Sequence, residues 1–143
     1  MRGYWNKPEE TAKAFTDGWF HTGDAGLIDP DGFIYVVDRI KDMVLRGGEN
    51  VYCVEVETVL FEADAVKDCA VIGIPHDKLG EEVAAVIVAA DGHGPQSAEN
   101  VLDHLRSRLA GFKVPSKVFW HHEDLPRNAA GKVLKKDLRD LYS

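Results

Sequence analysis

The chain has 143 residues, 45% of them hydrophobic and 29% charged, and carries a formal net charge of −7. That length holds one ordinary domain, or one small domain with a remnant of another, and the mixture is that of a soluble globular chain rather than a disordered or fibrous one. Such an acidic total excludes a nucleic-acid surface, which needs clustered Lys and Arg, yet leaves room for the few donors that one phosphate group requires.

Pro8-Glu9-Glu10 opens a helical pattern running to Phe15, since Pro suits a first turn and acids there complement the helix dipole. Asp17-Gly18 breaks it. Gly26-Leu27-Ile28 and Phe33-Ile34-Tyr35-Val36-Val37 read as two strands of a hairpin, joined by the turn-forming Asp29-Pro30-Asp31-Gly32. A second hairpin follows, with Met43-Val44-Leu45 as one arm and Gly47-Gly48 near its bend. From Tyr52 the period becomes helical, with Val56, Val59, Leu60 and Ala63 on one face and Glu55, Glu57 and Glu62 largely on the other.

The runs Cys69 to Ile74 and Val83 to Val88 are continuously apolar and of strand length, as central strands are. Asp91 to Pro95 is a loop, after which Ser97 is placed as an N-cap for a helix with Val101, Leu102, Leu105 and Leu109 as its apolar stripe, ended by Gly111. Val118-Phe119-Trp120 forms a third strand and Leu134 to Leu141 a final short helix. The expected fold is α+β: a small mixed or antiparallel sheet with packed helices over residues 41–143, preceded by a β-hairpin region over residues 1–40.

Cys53 and Cys69 make no C-x-x-C pair and no zinc-type spacing, so they read as reduced, partly buried thiols of a cytosolic protein. The histidines are scattered except for His121-His122, whose side chains point to opposite faces of a strand, and no metal site is expected. The strongest apolar run, Val83 to Ala90, is far shorter than the roughly 20 residues of a membrane helix. No signal-peptide core is found at the N-terminus, so the expected location is the cytoplasm.

Four signals carry chemistry. Asp24, just after Gly23 and before a strand, could accept hydrogen bonds from the vicinal hydroxyls of a ribose; a turn Asp satisfying nearby N–H groups is the plain alternative. Arg39 brings a planar fork of donors suited to hydroxyl or phosphate, or forms a surface ion pair with Asp38, Asp42 or another acid. Gly47-Gly48 marks either a close backbone approach to a ligand or a simple hairpin turn. Gly131-Lys132 is no Walker loop, because Pro126 and Val133 stand where that motif needs Gly and Ser or Thr; Lys132 is a long cation on a small-residue loop, or a solvated lysine.

Taken together, Trp19-Phe20-His21-Thr22-Gly23-Asp24, Asp38-Arg39-Ile40-Lys41 and Pro126-Arg127-Asn128-Ala129-Ala130-Gly131-Lys132 resemble, in order and spacing, the C-terminal part of the adenylate-forming acyl-CoA ligases. Gly3-Tyr4-Trp5, Gly80-Glu81-Glu82 and Gly111-Phe112-Lys113-Val114-Pro115 extend the resemblance over nearly the whole chain. It implies Asp24 and Arg39 as contacts to the ATP or AMP ribose, Lys41 as a hinge, and Lys132 as the catalytic lysine that meets the reacting carboxylate and α-phosphate. It further implies that Gly47, Gly48 and Glu49 line the channel for the pantetheine arm of coenzyme A. Lys41 stands where many members have Asp; Asn128 and Ala130 replace a frequent Thr and a Ser or Thr.

The resemblance implies a fragment: residues 1–40 as the tail of a large AMP-binding domain, residues 41–143 as the mobile lid. The phosphate loop, the acid pocket and most of the Mg²⁺ site would belong to that large domain, leaving this chain inactive alone. The implied substrates are ATP, coenzyme A and a carboxylic acid, fatty or aryl from the Gly-Gly-Glu-Asn-Val-Tyr-Cys-Val-Glu-Val-Glu run. Two alternatives stand beside it: a free-standing binding or regulatory module with the lid fold, and an adenylating enzyme that loads a carrier-protein thiol.

Overall fold

In the computed structural model, which describes residues 1–143, the chain separates into two units, Met1–Lys41 and Asp42–Ser143. The first unit opens with helix α1 (Pro8–Lys13), where Pro8 sits in the first turn and Glu9 and Glu10 follow it. Thr11 ties this helix to the preceding segment, its hydroxyl accepting the Tyr4 N–H at 2.9 Å and donating to the Lys7 carbonyl at 2.8 Å. Phe15 does not continue the helix. It starts β1 (Phe15–Thr16), which turns at Asp17-Gly18 into β2 (Trp19–Phe20), and the rings of Phe15 and Phe20 meet across the pair at 5.3 Å.

The expected hairpin follows as β3 (Asp24–Ile28) and β4 (Ile34–Arg39), antiparallel, with a bulge between Ala25 and Gly26. Asp29 organises its turn. One carboxylate oxygen accepts the N–H groups of Phe33 and Asp31, and the other accepts the Tyr35 hydroxyl. The Phe33 bond is the main reason its carboxyl titrates below the ordinary aspartate value. In this unit only Asp38 is buried, while Leu27, Ile28, Phe33, Ile34, Tyr35 and Val36 are all exposed. These residues form a hairpin without a core of its own.

The second unit is built on one sheet. A hairpin of β5 (Val44–Arg46) and β6 (Glu49–Val51) leads into helix α2 (Cys53–Phe61). Then come the two longest strands, β7 (Val66–His76) and β8 (Gly80–Ala89), paired antiparallel along nearly their whole length. A 3-10 turn (Pro95–Ser97) precedes α3 (Ala98–Arg106), a second one (Gly111–Lys113) precedes β9 (Lys117–His121), and α4 (Lys135–Tyr142) ends the chain. The strand order is β6-β5-β8-β7, with β9 parallel to β8 from Ala84 to Val88. The sheet is therefore mixed, and the α+β expectation holds.

Alternation along β7 and β8 sends successive side chains to opposite faces, and both faces are covered. On one face Cys69, Val71, Val83, Ala85 and Ile87 pack with α2 and α3 through Val56, Leu60, Val101 and Leu105. On the other, Ala70, Ile72, Ile74, Ala84 and Val86 pack with Leu125 and with Leu138 of α4. Burial on both sides is why these strands read as unbroken apolar runs. The outer edge of β7 is covered too: a Glu57 carboxylate oxygen from α2 accepts the Val71 N–H at 2.8 Å and pairs with Lys135 at 2.7 Å.

Three local expectations are corrected. Helix α3 ends at Arg106 rather than at Gly111, and Gly111 instead begins a 3-10 turn. Ser97 occupies the N-cap position, but its side chain makes no cap bond; its hydroxyl lies 3.2 Å from His93 Nδ1. The cysteines are fully rather than partly buried, Cys53 at 0% and Cys69 at 4% exposure.

Leu60, fully buried between α2 and the sheet, is the side chain on which to test this core. Leu60→Ala is expected to destabilise the chain by about 2–5 kcal/mol, read as a lower urea midpoint. An unchanged midpoint would contradict the packing. Burial, with the Glu57 and Asp68 charges adding and Lys135 opposing, pushes the Cys69 thiol well above its ordinary value. The unfolded thiol releases its proton near about pH 8.5 while the folded one retains it. Stability from this group is therefore intact below about pH 8.5 and declines as pH rises past it. Comparing urea midpoints at pH 7 and at about pH 9.5 checks this, and Cys69→Ala should flatten the slope.

Candidate functional site

Asp24 and Arg39, fifteen residues apart in sequence, are register partners across β3 and β4. Alternation places them on the same side of the hairpin, and Arg39 Nε lies 2.7 Å from Asp24 Oδ1. Both remain reachable, the Arg39 side chain 49% and the Asp24 side chain 27% exposed. One carboxylate oxygen and the two terminal guanidinium nitrogens are thus left over from this pair for a polyhydroxyl ligand. The Asp24 N–H donates to the Thr22 hydroxyl at 3.1 Å, and the Ile40 N–H donates to the Gly23 carbonyl at 2.9 Å, which fixes the entry to β3. Asp24 lines an open hollow of about 300 Å³ with Thr22, Ile28, Ile34 and Val36. Lys41 is the last residue of this unit.

Gly47 and Gly48 form the two-residue turn between β5 and β6, with φ of +59° and +90°. Positive φ at both positions matches the twist of a tight hairpin and favours glycine over other residues. The two differ in surroundings. A Cβ on Gly47 would meet the Leu79 side chain at 3.0 Å, whereas one on Gly48 would project into open space. Glu49 follows, exposed, at the start of β6.

Lys132 lies on a small loop closed by an isolated antiparallel bridge between Arg127 and Val133. Asn128 holds this loop from within: its side-chain oxygen accepts the N–H groups of Ala130 and Lys132, each at 3.0 Å. Its backbone carbonyl accepts the Gly131 N–H, and its own N–H donates to the Lys132 carbonyl, both at 2.9 Å. Arg127 donates to the Gly131 carbonyl at 2.8 Å and pairs with Asp68 at 2.7 Å, which anchors the loop to the start of β7. The Lys132 side chain itself is exposed, in contrast to Lys135, which is paired with Glu57.

The structure thus brings Asp24 to Arg39 and keeps Gly47, Gly48 and Glu49 in one turn. Within the second unit it holds Lys132 apart from that turn. The Lys132 loop is tethered at Asp68, whereas Gly47 donates to the Leu79 carbonyl beside the opposite end of the β7–β8 pair. His76 lies eight positions along β7 from Asp68, which at about 3.3 Å per step is on the order of 25 Å.

The sequence marks Asn128 as a departure that puts the loop's own hydrogen bonds in question, whereas in the structure it supplies them, and Arg127 as a loop support is not marked at all. The Asn128 role was accessible, because an Asn that bonds the backbone two and four residues on is a known turn former. The Arg127–Asp68 tie was not, since nothing local marks a pairing across 59 residues. No three His, Cys, Asp or Glu side chains converge into a metal-holding group.

Relatives of known name match along almost the entire chain. The long-chain-fatty-acid–CoA ligase FadD13 of Mycobacterium tuberculosis is 46% identical over 143 residues, 100% of this chain and 28% of the relative. A feruloyl-CoA synthase of Amycolatopsis sp is 49% identical over 142 residues, 99% of this chain and 28% of the relative. The solved structure of o-succinylbenzoate CoA synthetase from Bacillus subtilis, in complex with the acyl-adenylate intermediate OSB-AMP, superimposes with a TM-score of 0.87 at 41% identity. It covers 98% of this chain and 28% of that one. The chain therefore spans little more than a quarter of the length of these relatives. The profile of the AMP-binding enzyme C-terminal domain matches residues 55–132, over half of the sequence, and the chain belongs to that family.

Proposed function

We propose that this chain is the C-terminal portion of an AMP-forming acyl-CoA ligase, with residues 1–40 the tail of its large domain and residues 41–143 its mobile lid. The observation that carries the reading is the separation of the Lys132 loop from the Gly47-Gly48 turn along the β7–β8 pair. Two half-reactions that need different ends of one rigid lid require that lid to reorient between them. Lys41, the last residue of the first unit, is the hinge in this reading.

In the first half-reaction a substrate carboxylate oxygen attacks the α-phosphorus of ATP, and the bond to pyrophosphate breaks. Asp24 and Arg39 hold the ribose hydroxyls, one as acceptor and the other as donor. The Lys132 ammonium faces the negative oxygens of the carboxylate and α-phosphate as they approach, lowering the barrier electrostatically. The Asn128 bonds matter because a cation acts in this way only if its backbone is already in place. In the second half-reaction the coenzyme A thiol gives its proton to solvent, its sulfur bonds to the acyl carbon, and the bond from that carbon to the AMP phosphate oxygen breaks, so that AMP leaves with that oxygen. Gly48 suits the wall of the thiol channel, because a Cβ there would occupy otherwise open space.

Mg²⁺ would offset charge on the phosphates, and in this reading it is bound mainly by the large domain. The named relatives act on fatty and aryl acids by their names, which supports a fatty or aryl acid here and a role in fatty acid metabolism. The cytoplasm is the compartment that fits ATP and coenzyme A as substrates and two free cysteines.

Sequencing the DNA upstream of the Met1 codon tests the reading directly. An open frame with a Ser/Thr/Gly-rich phosphate loop is expected, and an in-frame stop close to Met1 would overturn it. The purified chain alone is expected to make no acyl-CoA from ATP, acid and coenzyme A; steady turnover would refute the division of labour. In the intact enzyme, Lys132→Ala should slow adenylate formation about 10²–10³-fold, as loss of a charge-stabilising donor does, and spare thioester formation from supplied acyl-adenylate. Equal loss of both half-reactions would show that Lys132 has another role.

A further inference from the structure

We propose that Glu81 is a positioning residue for the thiol half-reaction, holding the Gly47-Gly48 turn in place through the backbone of β5. The inference rests on the reading of that turn as a wall of the thiol channel.

Strand β5 joins the rest of the sheet through a single register pair, Arg46 opposite Gly80. Beyond it, β9 takes the same edge of β8 from Ala84 onward, so β5 has a ladder to β6 but no regular ladder to β8. Glu81 substitutes for one. Its carboxylate oxygen Oε2 accepts the Leu45 N–H at 2.9 Å, across 36 residues of sequence. The carboxylate is seated over Gly73 on β7, where a Cβ would lie 2.9 Å from Oε1 and 3.2 Å from Oε2. The space that Gly73 leaves is therefore the space that the Glu81 carboxylate occupies.

Glu82, the next residue along the strand, points to the opposite face. There it pairs with Arg46 at 3.4 Å and lies 3.7 Å from His76 Nε2. His76 Nδ1 accepts the N–H groups of Lys78 and Leu79, each at 3.2 Å, and so shapes the turn between β7 and β8. That turn delivers the Leu79 carbonyl to the Gly47 N–H at 2.9 Å. Two consecutive carboxylates thus grip β5 from its two sides, and the turn at its end is held by the tip of the β7–β8 pair. The bond from Glu81 is charge-assisted and reaches backbone, so it fixes the strand rather than a mobile side chain.

Three variants test this. Glu81→Ala removes the acceptor, Glu81→Gln keeps an oxygen for the Leu45 N–H, and Gly73→Ala pushes the carboxylate off its seat without altering Glu81. Amide exchange at Leu45 and Gly47 in this chain should speed up about tenfold or more in Glu81→Ala and Gly73→Ala, and stay near wild type in Glu81→Gln. Exchange at Ile72 and Val86, in the core of the β7–β8 pair, should not change. In the intact enzyme Glu81→Ala and Gly73→Ala should raise the KM for coenzyme A about tenfold and leave pyrophosphate release in the adenylation half-reaction unaltered, whereas Glu81→Gln should keep the KM near wild type.

Unchanged exchange at Leu45 and Gly47, or equal loss of both half-reactions, overturns the proposal. A Gly48→Val control separates the two levels. If it blocks thioester formation while Glu81→Ala does not, the channel reading stands and the positioning role falls. If Gly48→Val also leaves thioester formation intact, the channel reading itself has failed, and the positioning role falls with it.

Discussion

The antiparallel pairing of β7 with β8, buried on both faces, is the constraint on which the second unit depends. Ten register pairs link the two strands, and side chains alternate between a core under α2 and α3 and a second core under α4. Burial of apolar surface on both sides makes this pair the most rigid part of the unit, since opening it would expose two cores at once. The other parts of the second unit are referred to it: α2 through Glu57, the Lys132 loop through Asp68, and the Gly47-Gly48 turn through Leu79 and Glu81.

The candidate site segments, by contrast, are shaped at their tips mostly by polar bonds, although the hairpin that carries the Gly47-Gly48 turn is rooted in the core by Val44 and Val51. Asn128 and Arg127 shape the Lys132 loop, and Glu81, Glu82 and His76 secure the Gly47-Gly48 turn. Hydrogen bonds and ion pairs made by polar and charged side chains hold a segment in one geometry without enclosing it in apolar side chains, so its tip stays exposed. The first unit represents the same principle taken further. Its hairpin sets Asp24 against Arg39 through strand register, yet it has no apolar core of its own among residues 1–41. Its apolar side chains Leu27, Ile28, Phe33, Ile34 and Val36 are exposed.

Much of this was legible in the sequence where the signal was local. Asp29 to Gly32 marked the first hairpin turn and Gly47-Gly48 the second, while helical period from Tyr52 located α2. The misreadings were also local in origin. The helical pattern ran through Phe15 because a lone aromatic fits either period, whereas its ring pairs with Phe20 across a hairpin. Ser97 looked like a cap, but a preceding 3-10 turn put it in a helical conformation in which its hydroxyl turns to His93. Gly111 suggests a helix end because glycine stops helices, although the backbone leaves the helix after Arg106.

The order of motifs by itself determined the family and singled out Asp24, Arg39, Gly47-Gly48 and Lys132, because each sits in a short segment whose spacing is local information. Only the tertiary structure decided how these residues are grouped. Register across a hairpin set Asp24 against Arg39, and a contact across 59 residues tied the Lys132 loop to Asp68. A carboxylate 36 residues away took up the Leu45 N–H. Such pairings depend on which backbone groups a fold leaves without a ladder partner and which side chains it brings within reach of them. No stretch of sequence carries that information until the strands are paired.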